Sequence, residues 1–179
     1  MQRIKAHFYS KYRIPGIIGC VDGTHIKIVA QHWYYNRKGF YNINALIVCD
    51  HTMKITYVNA KNPRAIHDSM AFNMLLLKAH LKEQHLNGRP NTLFLGDVGY
   101  ALKPYLMTPF RNFEEGSPQR TYNKQHAKAR SILERTIGVL KTRFIVAVFN
   151  FRMKSYPMRP SAMMLEILKW SQITEKQKT

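Results

Sequence analysis

At 179 residues with 45% hydrophobic content the chain can bury one full core, which excludes a disordered protein and makes a single globular domain the expectation. Twenty-eight Lys and Arg against ten Asp and Glu leave a net charge of +18, the footprint of a protein that meets a polyanion, most often nucleic acid. The excess is +8 over residues 1–98 and +10 over residues 99–179, which excludes a basic tail on a neutral body, and no apolar run reaches the roughly 18 residues of a membrane span.

Residues 1–13 are basic and aromatic and read as an N-terminal remnant set off by Pro15-Gly16. A buried strand is expected from Ile17 to Val29, broken by a bulge at Gly23, and it carries one acid, Asp22, inside an apolar, β-branched run. An unpaired buried carboxylate costs several kcal/mol, so Asp22 asks for a partner. After a polar aromatic loop, residues 32–40, a second strand spans Ile43 to Cys49. It ends at Asp50-His51-Thr52, and Lys54 to Asn59 alternates well enough to pair back as a third antiparallel strand.

Beyond Asn62-Pro63, His67-Asp68-Ser69 opens a helix with Asp68 as its N-cap and an apolar stripe of Met70, Met74, Leu77 and Leu81. Gly88 and Pro90 stop it, and Thr92 to Leu95 is a short apolar strand ending at Gly96-Asp97, reached by a crossover. Functional groups of open α/β sheets gather just past such carboxyl ends. A loop from Pro104 to Thr121 leads to a second helix, about Asn123 to Arg143, with an apolar stripe of Leu133, Ile137, Leu140 and Phe144. Between Arg120 and Arg143 seven basic residues surround a single acid, Glu134, which lies at the edge of the stripe. A Met-rich helix follows near Ala162 to Trp170. The organisation is therefore 1–13, a central domain over 14–150, and an irregular C-terminal segment over 151–179.

Three antiparallel strands, then helix, strand and helix, with acids on the first strand, after the fourth and on the last helix, is the plan of an α/β, ribonuclease H-like mixed sheet. Such a sheet sets the first and fourth strands side by side, so that Asp22 and Asp97 meet under the helix bearing Glu134. Converging carboxylates suit hard cations such as Mg²⁺ or Mn²⁺. A pair of such ions activates water and stabilises the leaving oxygen in phosphodiester displacement. A zinc set of Cys20, Cys49, His25 and His51 is a weaker candidate, because it lacks tight paired spacing.

Seven stretches in order carry a resemblance: residues 15–25, Asn36 to Phe40, Val48-Cys49-Asp50, His67-Asp68-Ser69, Leu95 to Tyr100, Leu106 to Phe110, and Glu134 to Lys141. Together they resemble the ordered motifs of PIF/Harbinger transposases and their nuclease relatives, over about Ile14 to Phe144. The resemblance implies a catalytic and metal-binding triad of Asp22, Asp97 and Glu134, with Asp68, His67 and Asp50 as supporting candidates. Val98 stands where the family commonly has serine. The implied activity is metal-dependent DNA cleavage, and the alternative is a catalytically inactive, domesticated DNA-binding or partner-binding protein. Expected partners are DNA, a Myb-like DNA-binding protein and a second copy of the chain, with no membrane. The expected location is the nucleus, with the cytoplasm as the alternative.

Overall fold

The structure is a computed structural model that describes residues 1–27, 42–62, 83 and 92–152. The expected loop at 32–40, the helix opened by His67-Asp68-Ser69 and the Met-rich helix near 162–170 lie outside the described residues.

Among the described elements are two helices that pack against a five-stranded sheet: α1 (Gln2–Tyr12), β1 (Ile17–Lys27), β2 (Asn42–Cys49), β3 (Ile55–Asn62), β4 (Leu93–Leu95), β5 (Leu106–Met107) and α2 (Pro118–Arg152). The order across the sheet is β3-β2-β1-β4-β5, with β1–β2 and β2–β3 antiparallel and β1–β4 and β4–β5 parallel. This is the mixed sheet expected of a ribonuclease H-like fold, and it places β1 beside β4.

Alternation along β1 sorts its side chains between two faces. Cys20 and Ile26 join the core shared with α1 and α2, whereas Val21 joins a second core with Leu46, Val48, Phe94 and Leu106 on the other face. Asp22 has the parity of Cys20 and therefore points toward α2. Opposite it on β2 is Ile47, and opposite Cys20 is Cys49, so the acid sits in an apolar row.

Pairing with β2 runs unbroken through Asp22 and Gly23, so the bulge expected at Gly23 is absent. The irregularity lies instead between Ile17 and Gly19, where β1 meets β4. Gly19 is where close approach demands glycine: a Cβ there would stand 2.6 Å from the Cys49 carbonyl oxygen.

Residues 1–13 contribute to the core, since α1 buries Phe8 and Tyr12 at a spacing of four on the face turned to the sheet. Helix α2 starts five residues before the expected Asn123. Ser117 caps it by accepting the Arg120 N–H on Oγ at 3.3 Å, and Pro118 takes the first helical position, where no N–H is needed. Asn123 instead fastens the preceding loop, accepting the Phe110 N–H and donating to the Phe110 carbonyl, each at 2.9 Å. The two-residue β5 lies where the sequence pattern reads as loop. Among the described residues no helix is long and apolar enough to cross a membrane.

Asp50 closes the β2–β3 turn. Its Oδ1 accepts from the Thr52 N–H (2.7 Å), the Thr52 hydroxyl (2.6 Å) and the Lys54 N–H (3.1 Å), while Met53 takes a positive φ of 69°. Since β1 and β2 run antiparallel, Asp50 lies three rows, about 10 Å, from the level of Asp22. Its contacts make it a turn residue. We expect Asp50→Ala to lower stability by about 1–3 kcal/mol, through amides left unsatisfied, and to leave any DNA cleavage unchanged; urea unfolding beside a nicking assay checks both.

Candidate active site

Helix α2 crosses the sheet diagonally. His126 Nε2 lies 3.3 Å from the Met107 carbonyl on β5, Cys20 Sγ of β1 lies 3.7 Å from the Ala129 carbonyl, and Thr136 Oγ1 lies 3.6 Å from Cys49 Sγ on β2. The crossing presses the turn containing Arg130 onto the middle of β1, at Asp22, and the carboxyl end of β4.

There the two strand acids meet one cation. Arg130 Nη2 donates to Asp22 Oδ2 at 2.6 Å, and Arg130 Nη1 donates to Asp97 Oδ1 at 3.2 Å. The Asp22 side chain is 24% exposed, that of Asp97 48% and that of Arg130 10%, so the cluster is dry at the arginine and open to solvent at Asp97. The second oxygen of Asp22, Oδ1, accepts the Gly23 N–H at 2.9 Å, which fixes the carboxylate against the strand. Asp97 begins a turn closed by the Tyr100 N–H on its carbonyl at 3.1 Å.

Local helical spacing pairs Arg130 with Glu134, the ordinary i,i+4 alternative to a ligand role. Arg130 instead faces inward to the aspartates. Glu134 stands one turn further along α2 with an exposed side chain. The structure thus brings Asp22 and Asp97 together and leaves Glu134 on the flank of the helix beside them. Among the described residues no three His, Cys, Asp or Glu side chains form a group able to hold a metal ion. His67 and Asp68 lie outside the described residues.

Two residues of this region do not stand out as site residues in the sequence. Arg130 sits in a row of buried helix positions with His126, Ala129 and Leu133, and a charge on the apolar stripe of an amphipathic helix is the signal that marks it. His126, 2% exposed, lies one turn before Arg130. Burial, helped by the positive Arg130, lowers its pKa from the ordinary 6.5, and the Met107 carbonyl and Asp97 oppose the shift. As pH falls below about 6.5 the unfolded chain takes up this proton first, so stability present above that pH is lost toward the lower folded value. His7, also lowered by burial and by His51, acts in the same direction. Melting temperature measured from pH 7.5 to 5 should fall, and less steeply in His126→Gln.

The zinc candidates do not assemble. Cys20 and Cys49 are buried free thiols on one face of the sheet, and His25, of opposite parity to Cys20, has an exposed side chain. Burial pushes the Cys49 thiol up to about 12 and Cys20 higher still. An oxygen-only set of two strand carboxylates already holding positive charge fits a hard cation far better.

The family model for the DDE superfamily endonuclease matches residues 21–169, a span that includes both strand acids and Glu134. The chain belongs to the DDE superfamily endonucleases. Its curated relatives are of the Harbinger-transposase-derived kind that the motifs resemble. It is 33% identical over 149 residues to "Putative nuclease HARBI1" of Mus musculus and 32% identical to the protein of that name from Homo sapiens, each alignment covering 80% of this chain and 41% of the relative. It is 27% identical over 161 residues to "Protein ALP1-like" of Arabidopsis thaliana, covering 80% of this chain and 39% of that protein. The chain therefore spans about two fifths of the length of these relatives. No solved structure matches it. Within this endonuclease family divalent metals are the general cofactor.

Proposed function

We propose that the chain carries the catalytic centre of a metal-dependent DNA endonuclease, with Asp22, Asp97 and Glu134 as its carboxylates. The observation that carries the reading is the meeting of Asp22, midway along β1, and Asp97, just past the end of β4, on one guanidinium although they are far apart in sequence. Mg²⁺ or Mn²⁺, when bound, supplies Lewis-acid activation of water and stabilisation of the leaving oxygen.

The chain's own residues do the rest. Gly23 holds one oxygen of Asp22 and so aims the other across the site. Asp97 faces solvent, from which a phosphodiester arrives. The loop beyond Asp97 exposes Leu102, Phe110 and Phe113 beside Lys103 and Arg111, a basic and apolar rim suited to a nucleic-acid strand. Glu134 is the third carboxylate by family motif, one helical turn beyond Arg130 on α2 with its side chain exposed. The +18 charge supports DNA as the polyanion and the nucleus as the place of work.

A second reading is favoured by one specific contact: the buried arginine neutralising both aspartates also suits a protein that binds DNA without cutting it. Supercoiled plasmid with Mg²⁺ or Mn²⁺ separates the two. Nicking abolished by EDTA supports the endonuclease; a gel shift of the same plasmid with no nicking under either metal supports the silent binder.

A further inference from the structure

We infer that Arg130 is an exchangeable internal cation that competes with the divalent metal for Asp22 and Asp97, and so sets how tightly this site takes up metal. The inference rests on the metal reading of the same pair and adds to it the group that controls loading.

Three observations carry it. First, the arginine sits on ligand atoms: its fork covers Asp22 Oδ2 at 2.6 Å and Asp97 Oδ1 at 3.2 Å, while the other Asp22 oxygen is engaged by the Gly23 amide. A divalent ion held by the two acids would meet the guanidinium on the same pair of carboxylates, where the two cations repel each other and compete for the same negative charge.

Second, the arginine is incompletely satisfied. Its Nε is buried with no hydrogen-bond partner among the described residues, although Nη1 and Nη2 are both engaged. A buried donor without a partner costs free energy that a permanent structural ion pair normally avoids. Among the described residues the two carboxylates are what hold the head group, so a stronger cation at those carboxylates releases it.

Third, the cluster has an open side: Asp97 is half exposed, whereas Arg130 is almost wholly buried, which gives a metal an entry from solvent at Asp97.

The test is titration of the purified chain with Mn²⁺, reading free Mn²⁺ by electron paramagnetic resonance, for the parent, Arg130→Gln, Arg130→Lys and Asp22→Asn. Competition predicts that Arg130→Gln binds Mn²⁺ at least about tenfold tighter than the parent, that Arg130→Lys, which keeps the charge but loses the fork, falls between them, and that Asp22→Asn loses the site. Should Arg130→Gln not fold, tighter binding by Arg130→Lys supports the competition in its place. Equal or weaker Mn²⁺ binding by the arginine variants, with the parent still binding through Asp22, would overturn the competition and leave the metal reading standing. No Asp22-dependent binding in any of the proteins would overturn both.

Discussion

Replacing Asp22 by Asn should abolish metal-dependent DNA cleavage while the protein still folds. Asparagine keeps the size of the side chain and one carbonyl oxygen, so Arg130 Nη2 retains an acceptor where it now finds Asp22 Oδ2 at 2.6 Å. The negative charge disappears, and with it a ligand on the central strand and the acceptor that now takes the Gly23 N–H. Loss of groups that merely support metal ligands costs about 10- to 100-fold in affinity or activity, so loss of a ligand should cost more than about 100-fold. Nicking of supercoiled plasmid at saturating Mn²⁺ reads the effect. A melting temperature within a few degrees of the parent shows that the fold survived. Cleavage at parental rate would remove Asp22 from the site.

Gly19→Ala should be among the most damaging single-methyl changes in the chain, lowering stability by about 3 kcal/mol, the upper part of the usual range for overpacking. The added Cβ would lie 2.6 Å from the Cys49 carbonyl oxygen and 3.3 Å from the Phe94 ring. The first neighbour is backbone of the paired strand, which cannot step aside without breaking the β1–β2 register that carries Asp22. Phe94 belongs to β4, the strand that delivers Asp97, so the same methyl pushes on both halves of the site. Urea unfolding measures the loss. A change within a few tenths of a kcal/mol would mean that the strands can separate there at little cost.

Much of this architecture is legible in the residues. The three antiparallel strands follow from alternation on either side of Asp50-His51-Thr52, and β4 from a short apolar run that ends at Gly96-Asp97. Together they put β1 beside β4 and so bring Asp22, midway along β1, near Asp97, just past the end of β4, as the structure shows. What is not legible has physical reasons. Strand β5 is two residues long and carries no period; it exists because its amides and carbonyls meet those of β4, as in the 2.9 Å bond from the Gly96 N–H to the Met107 carbonyl. The start of α2 is masked by the charged loop before Ser117-Pro118, although a capping serine before a first-turn proline is a start signal in its own right.

The role of Arg130 is the least legible of all. On a helical net it faces Glu134, and local spacing favours that pair. The sheet instead offers two carboxylates in a drier setting, where an ion pair is stronger, and tertiary contact overrides the local choice. Glu134 is legible as an acid of the right motif, but its side chain is on the exposed flank of α2, so its part in the chemistry stays with the family motif and the proposal.

The central claim is that Asp22 and Asp97 are metal ligands, and anomalous diffraction from crystals soaked in Mn²⁺ tests it most directly. An anomalous peak bonded to carboxylate oxygens of both aspartates, with Arg130 turned away from them, is the predicted result. Crystals of protein that nicks DNA in Mn²⁺, yet show no peak at these two residues and keep Arg130 bridging them, would contradict it.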